Sequence, residues 1–136
     1  MEQKTISLQQ YCMKNKTKLF GQVIFDWLNS IETTYRGVLP VGEKTADLYL
    51  QIGGYYDSFG KSFIFPVQIY KRNTTSYLSV VQTADKIGDL IGDSGLLIVD
   101  DDIRIKIEKG SPFYQDKPDE DETVRAGYVN LEITIY

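Results

Sequence analysis

Histidine is absent from the 136 residues, and cysteine occurs once, at Cys12. The first absence removes the commonest general base, the Ser-His and Cys-His nucleophile pairs and the usual imidazole ligands of zinc. The second excludes an intramolecular disulfide and a thiolate metal cage. A lone thiol suits a reducing compartment, and Cys12 reads as a buried core thiol. No apolar run reaches the roughly 18 residues of a membrane span, so none is expected. Met1-Glu2-Gln3-Lys4 leads into polar residues without the apolar segment of a signal peptide, so export by that route is not expected. Cations are also in the minority: 15 Lys and Arg stand against 19 Asp and Glu, a net charge of −4. Such a balance makes a poor default ligand for nucleic acid, which needs Lys and Arg concentrated on one surface. The one basic cluster, Lys14, Lys16 and Lys18, reads as a solvated helix end.

What is present is an ordinary globular composition, 42% hydrophobic and 25% charged, in a chain sized for a single domain spanning residues 1–136. Ser7-Leu8-Gln9-Gln10 matches a capping box and starts a short helical segment with Leu8, Tyr11 and Cys12 on one face. Leu19, Phe20, Val23, Trp27, Leu28 and Ile31 recur at three- and four-residue spacings, one face of a helix. Ile24 and Phe25 flank that face and are candidates to pack against a neighbouring subunit.

The period then changes to two. Tyr35 to Pro40 reads as a short strand ended by proline. Asp47 to Ile52 alternates, with Leu48, Leu50 and Ile52 inward, and Gly53-Gly54 breaks it. Phe63, Phe65, Val67 and Ile69 alternate again. Pro66, on the other face of that strand, lacks an N–H and places the strand at a sheet edge or bulge. Thr74-Thr75-Ser76 supplies N-cap candidates for a helical stripe of Tyr77, Val80, Val81, Ala84, Ile87 and Ile91, stopped by Gly92 and Gly95. Leu96 to Val99, Ile103 to Ile107 and Val129 to Ile135 read as strands. The expected fold class is therefore α+β: a mostly antiparallel sheet with two or three helices packed on one face. Residues 116–123 form the one linker-like stretch, charged and poor in hydrophobes, and read as a mobile acidic loop.

No catalytic, cofactor-binding or metal residue is assigned. Asp100-Asp101-Asp102 lacks the ligand spacing and turn glycine of an EF-hand and reads as a β-turn. Gly53-Gly54 is followed by no phosphate-binding motif. The carboxylates of 116–122 sit in no apolar setting that would separate their pKa values for acid–base work. A docking loop that orders on assembly fits them better. The chain has ten tyrosines; Tyr49, Tyr55, Tyr56 and Tyr70, with Phe59, fall in or beside the central hairpin, and an acidic chain makes these subunit-interface residues rather than base-stacking ones. The interface candidates are Tyr55, Tyr56, Phe59, Pro66, Gln68, Tyr70, Asp119, Glu120, Asp121, Glu122 and Arg125. An edge at Pro66, Gln68 and Tyr70 would invite pairing with another chain.

Several short motifs occur in order. They are Tyr35-Arg36-Gly37-Val38-Leu39-Pro40 after the first helix, Gly53-Gly54 ending the next strand, and Val67-Gln68-Ile69-Tyr70 leading through Ser76-Tyr77 into a helix to Ile91. Gly110-Ser111-Pro112-Phe113-Tyr114 follows, then the acidic loop and Arg125. In this layout the chain, from about residue 19 onward, resembles the minor capsid and tail-terminator (head–tail joining) proteins of long-tailed bacteriophages. The Pro-Asp-Glu-Asp-Glu segment is longer and more acidic than that pattern. The resemblance implies a homo-oligomeric ring, typically hexameric, that caps the tail tube and joins it to the capsid connector. Its partners would be further copies of itself, tail-tube proteins and head-connector proteins. DNA would at most pass through without specific binding, no membrane would be involved, and the protein would assemble in the host cytoplasm into the virion. No enzymatic activity and no cofactor is implied. On this reading, deleting residues 117–122 should leave the fold intact and weaken assembly. The competing reading from the residues alone is a monomeric cytoplasmic ligand- or peptide-binding module that uses the Tyr-rich hairpin.

Overall fold

Phe20, Val23, Ile24, Leu28 and Ile31 line one side of a helix, α1, described over residues 20–31, and all five are buried. The computed structural model describes residues 20–37, 45–53, 62–100 and 103–136. The expectations placed on residues 1–19, on Val38 to Pro40, on Gly54, Tyr55, Tyr56 and Phe59 and on Asp101 and Asp102 lie outside the described residues. Asn29 closes α1 by accepting a hydrogen bond from the Thr34 N–H at 3.0 Å. The chain continues through β1 (Thr34–Arg36), β2 (Leu48–Ile52), β3 (Ser62–Arg72), α2 (Leu78–Ile91), β4 (Leu96–Asp100), β5 (Ile103–Lys117) and β6 (Val124–Ile135). No helix among the described residues is long and apolar enough to cross a membrane.

The six strands of the described residues form one sheet in the order β1-β2-β3-β6-β5-β4. β1 pairs with β2 in parallel and every other pair is antiparallel. The expected class, a mostly antiparallel sheet with two or three helices packed on one face, is overturned by the balance of elements rather than by strand direction. The molecule is more sheet-rich: 51% of the described residues are strand and 26% helix, in one mixed, curled sheet with two helices. Much of the excess lies in residues 108–117 of β5 and 124–128 of β6, beyond the strands expected at Ile103 to Ile107 and Val129 to Ile135. Side-chain polarity predicts a loop from residue 116, yet β5 runs on to Lys117 because β6 supplies backbone partners, with Gln115 opposite Tyr128, Asp116 opposite Gly127 and Lys117 opposite Ala126. Ladder hydrogen bonds involve only the main chain, so a charged residue can complete one as well as an apolar residue.

The edge placement of Pro66 is also overturned. β3 lies inside the sheet between β2 and β6. Pro66 is tolerated there because the described register with β2 ends one residue away, at Ile52 opposite Val67, leaving its missing N–H without a β2 partner to disappoint.

One face of the sheet carries the core. Leu50, Ile52, Phe63, Phe65, Val67, Ile69, Ile103, Ile105, Ile107, Val129, Leu131, Ile133 and Ile135 form a single cluster with the buried sides of α1 and α2. Cross-strand neighbours such as Phe65 and Leu131 or Ile107 and Ile133 share that face, as the two-residue period requires. Phe20 of α1 meets Phe63 and Phe65 edge-on, with ring centroids 5.9 and 6.0 Å apart. Ile24, expected to flank the helix face and meet a neighbouring subunit, is instead fully buried in this cluster, because the sheet is wide enough to cover both flanks of the stripe. Phe25 is half-buried against the same core.

α2 contributes Val80, Ala84, Ile87 and Ile91 at three- and four-residue intervals. Its start uses Ser76, whose Oγ accepts from the Leu78 N–H at 3.1 Å. Gly92 ends it with φ of 71°, a left-handed conformation that costs a side-chain-bearing residue more than glycine. Between Lys109 and Tyr114 the β5–β6 register slips. The extra residues swing Phe113 over Gly88 of α2, tying helix to sheet.

Candidate functional site

The opposite face of the same strands is aromatic and polar. Register places Tyr35 beside Gln51, Tyr49 beside Tyr70, and Gln51 beside Gln68. It then places Gln68 beside Tyr128, and Tyr128 beside Gln115. The rings of Tyr49 and Tyr70 stack, with centroids 5.1 Å apart and planes 16° from parallel. Tyr35 meets Tyr49 edge-on at 5.4 Å, and its hydroxyl accepts from the Ala46 N–H at 3.1 Å. Cations cap the stack: Arg72 lies 5.6 Å from the Tyr49 ring centre and the Lys117 ammonium 5.0 Å from that of Tyr70. Such pairs are electrostatically favourable.

Lys117 also donates to the Tyr70 hydroxyl at 2.6 Å and to Gln68 Oε1 at 3.3 Å, while the Tyr70 hydroxyl donates to Gln68 Oε1 at 2.7 Å. The Tyr128 hydroxyl donates to Gln115 Oε1. The face is thus a preorganised hydrogen-bonded platform. Burial pushes the Tyr49 hydroxyl above the usual phenol range, and the nearby Arg72 pulls partly the other way.

The acidic segment is a structured hairpin turn over residues 118–123. Asp119 Oδ1 accepts from the Asp121 N–H at 2.9 Å. Asp121 Oδ1 accepts from the Thr123 N–H at 2.8 Å and its hydroxyl at 2.7 Å. Those bonds, the Thr123 hydroxyl's first, hold the Asp121 carboxyl below its ordinary pKa. Lys117 belongs to β5 and to the tyrosine platform. Removing residues 117–122 would therefore cut into the sheet, against the expectation of an intact fold. Arg125 opens β6, where its guanidinium donates to Thr75 O, Glu122 O and Val124 O at 3.2, 3.0 and 2.9 Å and lies 5.6 Å from the Tyr77 ring centre. It therefore pins the turn to the entry of α2.

Turn and platform meet at a polar cleft of about 330 Å³, lined by Tyr49, Tyr70, Arg72, Asn73, Asp119, Asp121, Thr123 and Val124. The candidates Tyr70, Asp119 and Asp121 are thus brought together. Gln68 reaches Tyr70 but lies outside the lining, and Pro66 stands further along the same face, opposite Asn130. Glu120 and Glu122 are exposed on the turn. Among the described residues, no group of three or more Asp, Glu or Cys is placed to hold a metal ion, and no buried side-chain nitrogen or oxygen lacks a partner.

Sequence reasoning missed the far end of the sheet. Among the described residues β4 is its last strand, and Leu97 and Val99 project from it, each 58% exposed. A signal was available: Leu96 to Val99 is apolar on both strand faces, which requires either burial on both sides or an uncovered apolar face. Arg72 and Lys117 were missed as partners of the tyrosines, because only the register brings them there. No family model, no curated protein and no solved structure was found to be similar to this chain.

Proposed function

We propose that the chain is a structural self-assembling protein of the phage head–tail junction kind, a ring-forming tail terminator or minor capsid protein rather than an enzyme. The observation that carries this reading is β4, a terminal strand presenting Leu97 and Val99 to solvent. A sheet edge with unpaired backbone groups and uncovered apolar side chains is a template for another chain. The ordered motifs between Tyr35 and Arg125 support the same reading through their resemblance to that family. Further copies of the chain are the first partners, tail-tube and connector proteins the next. The site of action is the virion, after assembly in the host cytoplasm, and DNA at most passes through without specific binding.

Electron micrographs of the purified chain test this. Closed rings of one size are expected; isolated subunits at every concentration would contradict it. A second reading, a monomeric module that binds a small polar ligand or peptide, is favoured by one observation, the cleft walled by the Tyr49–Tyr70 stack and Arg72. A monomer whose Tyr49→Ala variant loses ligand capture would favour that module instead.

A further inference from the structure

We propose that the outward stripe of α2 docks on the β4–β5 corner of the next copy of the chain; this inference rests on the self-assembly reading above. Leu78, Val81, Asp85 and Asp89 recur at three- and four-residue spacings, so they share one side of α2, and all four are exposed. The opposite side of the helix is committed to the core through Val80, Ala84, Ile87 and Ile91. Lys86, the basic residue of this helix, is turned away to donate to Ile31 O at 3.2 Å. The stripe therefore has an apolar N-terminal half and an acidic C-terminal half.

The β4–β5 corner is built as its counterpart. Leu97 stands opposite Lys106 and Val99 opposite Arg104, which places two exposed apolar side chains beside two cations on the sheet face that α2 does not cover. Arg104 is exposed. Lys106 is shared with Glu108 at 3.8 Å, so Arg104 carries more of the free positive charge. Exposed Tyr136 extends the apolar area at this corner, held there by its N–H donating to Arg104 O at 2.9 Å. An apolar pair with two carboxylates thus matches an apolar pair with two cations, and such complementarity selects both partner and orientation. The two patches lie on opposite sides of the sheet. A patch that meets a different patch makes a head-to-tail contact, which propagates into a closed ring or an open filament instead of stopping at a two-fold dimer.

Charge reversal with complementation tests the pairing. Two variants are made, Asp85→Lys with Asp89→Lys and Arg104→Glu with Lys106→Glu, and circular dichroism of each confirms the native fold. Sedimentation velocity of each alone should show association weakened by about tenfold or more, as like charges now face one another. An equimolar mixture should recover association, because each reversed patch finds its complement on the other variant. A native chain that oligomerises while both variants oligomerise equally well overturns the pairing and leaves the self-assembly reading standing. Weakening without recovery in the mixture also overturns it. A native chain that never associates overturns the self-assembly reading itself, and the pairing with it.

Discussion

The two faces of this sheet are made by the same strands and differ in nearly every physical respect. The inner face of β3 and β6 carries Phe63, Phe65, Val67, Ile69, Val129, Leu131 and Ile133, closed off by two helices. The outer face carries Tyr70, Gln68, Tyr128 and Asn130; the Tyr70 hydroxyl donates to Gln68 and its ring stacks on Tyr49 of β2. The inner face is held by area removed from water and by close packing. The outer face is held by directional contacts whose groups are also satisfied by water in the unfolded chain, so each adds little net stability. Most of the stability therefore comes from the inner face, while at β4 the outer face exposes the apolar side chains Leu97 and Val99.

The sharpest test of that contrast is a cavity in the inner face. Leu131→Ala should destabilise by about 2–5 kcal/mol, the range for a large-to-small change at a fully buried site, measured by urea denaturation. The next effect comes from Gly110, where a methyl group would lie 2.7 Å from the Asn130 carbonyl oxygen. Because that neighbour is backbone, Gly110→Ala should cost about 1–3 kcal/mol, read from the same unfolding curves. On the outer face, Tyr70→Phe removes the hydroxyl that donates to Gln68 and accepts from Lys117. Its cost should be about 1 kcal/mol, and a loss as large as that of Leu131→Ala would break the contrast.

Two tyrosines make stability depend on alkaline pH. Burial raises the folded-state pKa of both Tyr49 and Tyr114, and for Tyr114 the adjacent Asp116 carboxylate adds to the rise. Above the ordinary phenol pKa near 10, the unfolded chain releases protons that the folded chain retains. Their contribution is therefore complete below pH 10 and lost as pH climbs toward the raised folded values. Unfolding curves collected from pH 8 to 11 should show stability falling above pH 10, with a shallower fall in Tyr49→Phe. The smallest effect is expected at the exposed turn. Asp121→Ala should lower stability slightly at neutral pH. The difference from the native chain should vanish as acid protonates Asp121, whose folded pKa is depressed.

Much of the inner face was legible in the sequence, because local periodicity reports burial. Val80, Ala84, Ile87 and Ile91 trace a helix, and Phe63 to Ile69 and Val129 to Ile135 trace half-buried strands. Strand partners were not legible, because backbone hydrogen bonds carry no side-chain signature. That is why Pro66 suggested an edge to a strand that is interior, and why the charged run from Asp116 concealed the end of β5. The parallel β1–β2 pair was invisible for the same reason, since β1 has only three residues. Of the candidate site, Tyr70, Asp119 and Asp121 were named from composition and do line one cleft. Arg72 and Lys117, which organise the tyrosines, become visible only through the register between β2, β3, β6 and β5.

Self-association is proposed for this chain, and its absolute mass in solution decides it. Light scattering across a concentration series should show a discrete higher oligomer, or a monomer that gives way to one as concentration rises. A strict monomer at every concentration would contradict the account and direct attention to the cleft beside Tyr49 and Arg72.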